Sequence, residues 1–149
     1  MTDNGLPDLA GTLIEAMGIT IEHAAADRAT ASMPVAGNTQ PYGLLHGGAS
    51  AVLAETVGSI AAQIHAGPGR AAVGLELSIS HHRSARHGRV HGVATAVHLG
   101  RSSASYLVEV TDDEDRRISS ARLTCLLLDA AGTSSAGATG KESAAGKGS

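Results

Sequence analysis

Asn38-Thr39-Gln40-Pro41-Tyr42-Gly43-Leu44-Leu45-His46-Gly47-Gly48, followed by the alanine-rich run from Ala49 to His65, is the stretch on which the rest of the chain is organised. The run reads as a helix, because Leu53, Val57, Ile60 and Ile64 recur at three- and four-residue spacing and form one apolar stripe. At about 100° per residue, Glu55 falls opposite that stripe, with Ser59 one turn further along the same side. Between Ala29 and Gly69, Glu55 is the only Asp, Glu, Lys or Arg. A carboxylate alone on such a helix is costly to desolvate. It is either a satisfied, solvent-facing side chain or one with a chemical task.

His46-Gly47-Gly48 stands where the helix begins, and no Ser, Thr, Asp or Asn is there to cap it. The first-turn N–H groups are therefore expected to lack a side-chain partner, and the two glycines let another molecule approach the backbone. Such a terminus suits an anion or a developing oxyanion. The structural alternative is a Gly-Gly turn needed only for tight packing. Glu55 lies about 12 Å along the axis from Gly47, which leaves room for a substrate group between them.

Working outward, 149 residues are enough for one domain with a real core. Apolar residues make up 42%, yet Phe and Trp are absent and only Tyr42 and Tyr106 are aromatic. The interior must then be aliphatics and alanines, a composition that gains from burying more surface in an oligomer. A net charge of −3 argues against a nucleic-acid partner. Cys125 is the lone cysteine and lies in an apolar run, so it is expected in the core. No basic-then-apolar leader and no apolar run of about 20 residues is present, so a cytoplasmic protein with no membrane partner is expected.

Residues 7–17 read as a short helix, with Pro7 in its first turn, Leu9, Leu13, Ile14 and Met17 on one face, and Gly18 closing it. Residues 19–28 and 29–36 are strand-like, the second with Ala31, Met33 and Val35 alternating. Gly67-Pro68-Gly69 stops the central helix, and four strand-like runs follow. In the first, Leu75, Leu77 and Ile79 alternate with polar residues; the second carries Val93, Val97 and Leu99 on one side. The links between these runs are short, which favours antiparallel neighbours. Asp112 to Asp115 reads as a turn of solvated charges, without the spaced ligands of a calcium loop. His81 and His82, adjacent in a strand, should point to opposite faces and so not share a metal ion. Residues 131–149 hold Ala, Gly, Ser, Thr and Lys with too little apolar area to order themselves, and read as a disordered tail after a domain over residues 1–130.

The motif from Asn38 to Ser50, with Leu53-Ala54-Glu55-Thr56 after it, resembles the hotdog-fold acyl-CoA thioesterases, in particular the branch of the bacterial dihydroxynaphthoyl-CoA and enterobactin-proofreading enzymes. The resemblance continues through His81-His82-Arg83-Ser84 and His98-Leu99-Gly100-Arg101 and spans roughly residues 7–129. It implies an α+β hotdog fold, an antiparallel sheet of about six strands wrapped around one long central helix. It also implies a homo-oligomer, dimer or tetramer, with active sites at the dimer interface and with no metal or organic cofactor. Glu55 corresponds to the carboxylate that attacks the thioester or activates water, and Gly47 to the N–H that polarises the carbonyl. Gln40 and His46 would orient water and substrate, and Ser59 would support the carboxylate. Gly74, the run His81, His82, Arg83 and Ser84, and the run His98, Gly100, Arg101, Ser102 and Ser103 would line the thioester and CoA side, with Arg83 and Arg101 suited to phosphates.

The expected function is thus an acyl-CoA thioesterase for aromatic or medium acyl groups, with a carrier-protein thioester as the other form of substrate. Two alternatives are a hydratase or dehydratase on the same fold, and a non-catalytic acyl-CoA-binding module. The first usually presents a different His/Asp or His/Glu arrangement. The second would be expected to replace Glu55 and carry a DNA-binding domain.

Overall fold

A computed structural model describes residues 8–129. Pro7 and the expected tail over residues 131–149 lie outside the described residues. The elements run α1 (Leu13–Ala16), β1 (Thr20–Ala24), β2 (Arg28–Pro34), α2 (Gly47–Ala66), β3 (Arg70–His81), β4 (Arg89–Leu99), β5 (Ser103–Asp112) and β6 (Arg117–Asp129). The six strands form one sheet in the order β1-β2-β4-β5-β6-β3, antiparallel throughout. α2 packs against all six strands, so the sheet curls around a single helix in the hotdog arrangement. Strands β1 and β3 form the two edges.

The core follows from the small side chains. Ala54, Ala61 and Ala62 on α2 are fully buried beside Leu53 and Val57, and Ala29, Ala31, Met33 and Val35 meet them from β2 and the residue after it. Alanine on the helix face lets the sheet come close, and the few larger groups then interdigitate. Tyr106 is the largest fully buried side chain. Its hydroxyl donates to the Ala26 carbonyl at 2.9 Å, and burial pushes the phenol up to about 12, so it remains a neutral donor. Cys125 is buried, as its apolar surroundings in sequence require.

Several local expectations are corrected. The first helix is one turn, not the whole of residues 7–17. Gly11 sits at φ +72°, outside helical space, and Thr12 caps the turn by accepting the Glu15 N–H. Ile64 leaves the core stripe and is 43% exposed, facing an open groove beside α1 instead of the sheet. A bulge in β3 pairs Gly74 with Cys125 and Glu76 with Thr124, so Leu75 is an extra residue and stands 60% exposed while Leu77 and Ile79 turn inward. A second bulge in β4 leaves Val97 without a partner and sets Leu99 opposite the buried Ala104. Val93, opposite Glu109, therefore faces the other side from Leu99. Asp112 is buried rather than solvated. It accepts the N–H groups of Glu114 and Arg116 and the Arg116 side chain, and this bonding holds its carboxyl below the usual range.

Candidate functional site

The loop before α2 is held by its own backbone. Gln40 N–H donates to the Leu44 carbonyl, Gly43 N–H to the Gln40 carbonyl, and Tyr42 N–H to Gln40 Oε1. Asn38 fastens the loop to the body by donating its amide to both the Met17 and Pro34 carbonyls at 2.9 Å, while its own carbonyl accepts His46 N–H. The expectation of an uncapped α2 is corrected at this point. His46 is the N-cap, and its Nδ1 accepts Gly48 N–H at 2.8 Å. An imidazole nitrogen lone pair does the work usually given to a hydroxyl or carboxylate oxygen. With Nδ1 accepting, the neutral ring carries its proton on Nε2. Gly47 N–H, one residue earlier, has no acceptor among the described residues.

His81 packs closely on Gly47: a Cβ there would stand 3.0 Å from His81 Nε2, so the ring would have to shift slightly to admit one. The end of β3 thus rests directly on the start of α2, and Gln40, Gly47, Ser50, His81, Arg83 and Ser84 line a depression of about 410 Å³. His82 lines it as well and meets Ser120 Oγ at 3.0 Å. β3 ends at His81, so the strand alternation that would separate the two rings no longer applies. No group of three or more His, Cys, Asp or Glu side chains arranged to hold a metal occurs among the described residues.

Glu55 faces a different space. It is exposed, not enclosed in the chain, and accepts no hydrogen bond among the described residues. Gly74 lies directly across from it on β3: a Cβ at that position would stand 2.8 Å from Glu55 Oε1. The carboxylate sits on a groove of about 470 Å³ walled by Ile14 of α1, by Val52, Ile60 and Ile64 of α2, and by Ala72 of β3. Among the described residues, Glu55 is the only charged one lining it. Ser59 is one turn along, with Oγ 4.0 Å from Cys125 Sγ beneath. Burial pushes the Cys125 thiol up, the Ser59 contact opposes this, and the Glu55 charge adds to it, so Cys125 stays a neutral core residue. Gln63 closes the far side, accepting Ala72 N–H and donating to the Arg70 carbonyl.

The turn carrying Gly100, Arg101 and Ser102, between His98 on β4 and Ser103 on β5, is held elsewhere. Its Gly100 carbonyl accepts His65 Nε2 at 2.8 Å, its Arg101 carbonyl accepts Arg70 Nη2 at 2.8 Å, and its Ser102 carbonyl accepts Leu127 N–H. His65 is in the last turn of α2. At 1.5 Å per residue it lies roughly 27 Å from Gly47 along the axis. One copy of the chain therefore gathers the expected residues into three places. Gln40, His46, Gly47, His81, His82, Arg83 and Ser84 are at the start of α2, Glu55, Ser59 and Gly74 are at its middle, and the His98 to Ser103 turn is at its end.

Residues 42–119 match the thioesterase superfamily. The chain belongs to that superfamily. It is 44% identical over 119 residues to the proofreading thioesterase EntH of Cronobacter sakazakii, covering 79% of this chain and 87% of that one. It is also 44% identical to the 1,4-dihydroxy-2-naphthoyl-CoA hydrolase of Escherichia coli, with 79% and 88% covered. Among solved structures, thioesterase HI1161 of Haemophilus influenzae superposes with a TM-score of 0.79 at 33% identity, covering 82% of this chain and 86% of that one. A variant of thioesterase PA1618 of Pseudomonas aeruginosa gives 0.78 at 37%, with 83% and 95% covered. The chain is a thioester hydrolase.

Sequence reasoning gave this thioesterase no role for Asn38, Gln63 or the wall residue Ile14. Asn38 stood in the quoted motif, but a side chain that bonds Met17 and Pro34 has no local signature. Gln63 likewise acts on β3 backbone across the helix–sheet boundary.

Proposed function

We propose that the chain hydrolyses acyl-CoA thioesters at sites formed between two copies, with Glu55 of one copy working against the Gly47 N–H of the other. The observation that carries this reading is the Glu55 carboxylate, the sole charge on an apolar groove, free of hydrogen bonds among the described residues. Two features support the second copy. The polar depression at Gly47 and the groove at Glu55 are separate spaces in one chain. The β3 edge beside them carries Val73 and Leu75, 38% and 60% exposed, an edge suited to cover by another chain.

The chemistry uses the two spaces together. A thioester carbonyl oxygen accepts Gly47 N–H at the positive end of α2, which stabilises the negative charge that develops as the carbonyl carbon becomes tetrahedral. Glu55 attacks that carbon itself or takes a proton from a water that attacks it. Collapse breaks the C–S bond. The CoA thiolate, a good leaving group, departs and takes up a proton from the attacking water. Where water attacks directly the free acid remains; where Glu55 attacks, water then hydrolyses the mixed anhydride on Glu55 to release the acid and regenerate the carboxylate. Gln40 and His46 Nε2–H, at the Gly47 side, orient substrate and water, and Ser59 supports the carboxylate. His81, His82, Arg83 and Ser84 take the thioester and pantetheine side; Arg83 and Arg101 are the cations offered to CoA phosphates. The apolar walls suit an aromatic or medium acyl group, in keeping with the naphthoyl-CoA named for the Escherichia coli relative.

The test is thiol release from a panel of aryl-, straight-chain and branched acyl-CoAs, with carrier-protein thioesters in parallel. Glu55→Gln keeps shape and removes the basic oxygen, so kcat should fall by roughly 10²-fold or more. Because Glu55 is exposed, the melting temperature should barely move. A folded Glu55→Gln protein that still turns over at wild-type rate would overturn the mechanism.

A further inference from the structure

The groove at Glu55 has one wall that belongs neither to α2 nor to the sheet. Leu13 and Ile14 of α1 line it opposite Val52, Ile60 and Ile64. α1 is a single turn with no buried side chain; Leu13 is 58% exposed and Ile14 half-buried against the core. Its position is set by short-range bonds and one long-range tie. Thr12 Oγ1 caps the turn, Gly11 N–H donates to Glu15 Oε2 at 2.7 Å, and Ile19 N–H donates to the Ile14 carbonyl. The long-range tie is the Asn38 amide on the Met17 carbonyl, from the loop that also carries Gln40.

Several of the other wall residues are constrained: Val52 and Ala72 are partly buried against the core, Ile60 is buried, and Gln63 has both amide atoms engaged with β3 backbone, whereas Ile64 is 43% exposed and free of the core. Changing the size of the constrained ones disturbs the fold as well as the groove. Ile14 projects from a one-turn element with no fully buried side chain, half in the groove and half against the core, so a change in its size acts on the groove wall without removing a buried core residue. In a hydrophobic pocket the size of the space relative to the acyl group is what discriminates between homologous chains.

We propose that Ile14 is a specificity-determining residue for the acyl group, the side chain on the α1 wall that limits how large a group the Glu55 groove accepts. This rests on the reading that the groove holds the acyl part of the thioester. The ligand class it selects is an uncharged hydrocarbon or aryl acyl group, because among the described residues Glu55 is the only charged one in the groove and an acyl carboxylate would meet no cation from them.

The test uses S-alkyl-CoA thioethers of two to twelve carbons, which cannot be hydrolysed, measured by calorimetry beside turnover of the matching thioesters. In the unaltered protein, affinity should rise with chain length and then level or fall where the groove ends. Ile14→Ala should move that turning point to longer chains. Ile14→Trp should move it to shorter ones, weakening the ten-carbon thioether roughly tenfold or more while leaving the two-carbon one unchanged. Thermal melting checks that both variants are folded; should Ile14→Trp unfold, Ile14→Met and Leu13→Trp probe the same wall. A chain-length profile of the same shape in unaltered and variant proteins overturns the proposal, and so does a flat profile in the unaltered protein. The two readings fail separately. Shifted binding profiles without turnover would leave Ile14 in this role and remove the thioesterase mechanism, whereas normal turnover with unshifted profiles would do the reverse.

Discussion

Around Gly47 the structure is made from backbone and from side chains committed to backbone, whereas around Glu55 it is made from side chains that come together only through the fold. His46 caps the helix, Gln40 holds its own loop, and the His81 ring packs closely on Gly47. All but the last of these bonds close within five residues. The Glu55 groove instead draws its walls from α1, α2 and β3, and its carboxylate has no partner among the described residues. One region offers an N–H and the other a carboxylate, each without a hydrogen-bond partner among the described residues, and in the proposed site two copies would bring them together.

The sharpest way to break that comparison is to mix inactive copies. Glu55→Gln and Gln40→Ala should each lose most activity alone, Glu55→Gln by roughly 10²-fold. If each site takes Glu55 from one copy and Gln40 from the other, random reassortment into dimers should restore roughly a quarter of the wild-type sites. No recovery in mixtures shown by mass spectrometry to contain hybrids would place both residues in one copy's site.

Gly74→Ala comes next. The added methyl would meet Glu55 Oε1 at 2.8 Å, and a carboxylate at the end of a flexible side chain can move away. Folding should change little, while kcat falls on the order of tenfold because the oxygen is displaced from its working position. A fall in melting temperature with kcat unchanged would show that Gly74 serves packing, not the carboxylate.

Arg83→Ala and Arg101→Ala should raise KM several-fold and leave kcat nearly constant, since phosphate contacts are alike in ground and transition states. The effect should vanish with truncated pantetheine thioesters and shrink as salt rises. An equal penalty on full and truncated substrates would make either arginine structural; Arg101 is the more exposed to that outcome, its carbonyl already tying down Arg70.

The smallest effect lies away from both regions. Asp112 has a folded-state pKa below its unfolded value because Arg116 bonds its carboxylate. Its contribution is therefore present above the ordinary carboxylate pKa of about 3.9 and is lost as pH falls through the depressed one. Asp112→Asn should lower stability at neutral pH and reduce the acid sensitivity of melting below about pH 4. An unaltered acid limb in melting curves across pH would assign that sensitivity to other carboxylates.

Much of the fold was legible along the chain. The apolar repeat of the central helix through Leu53, Val57 and Ile60, the alternation of Ala31, Met33 and Val35, and the short links between later strands are local signals that appear as read; Ile64, the last of the repeat, does not. The candidate residues were legible as types at fixed spacing, above all Glu55 alone in a charge-free stretch. What misled were signals with two structural outcomes. A histidine was not counted as a cap, although its Nδ1 can accept like an oxygen. The bulges at Leu75 and Val97 reversed facing in mid-strand, because an extra residue in one strand is defined only by its partner.

By itself, then, the sequence determined where the central helix and the six strands lie and which residue types are candidates for chemistry, since hydrophobic period, glycine punctuation and charge placement act over a few residues. Only the tertiary structure decided that Gly74 faces the Glu55 carboxylate, that Ile14 walls its groove, and that the His98 to Ser103 turn stands at the far end of α2 from Gly47. Those are contacts between residues far apart in the chain, set by strand register and helix packing, and no local pattern encodes them.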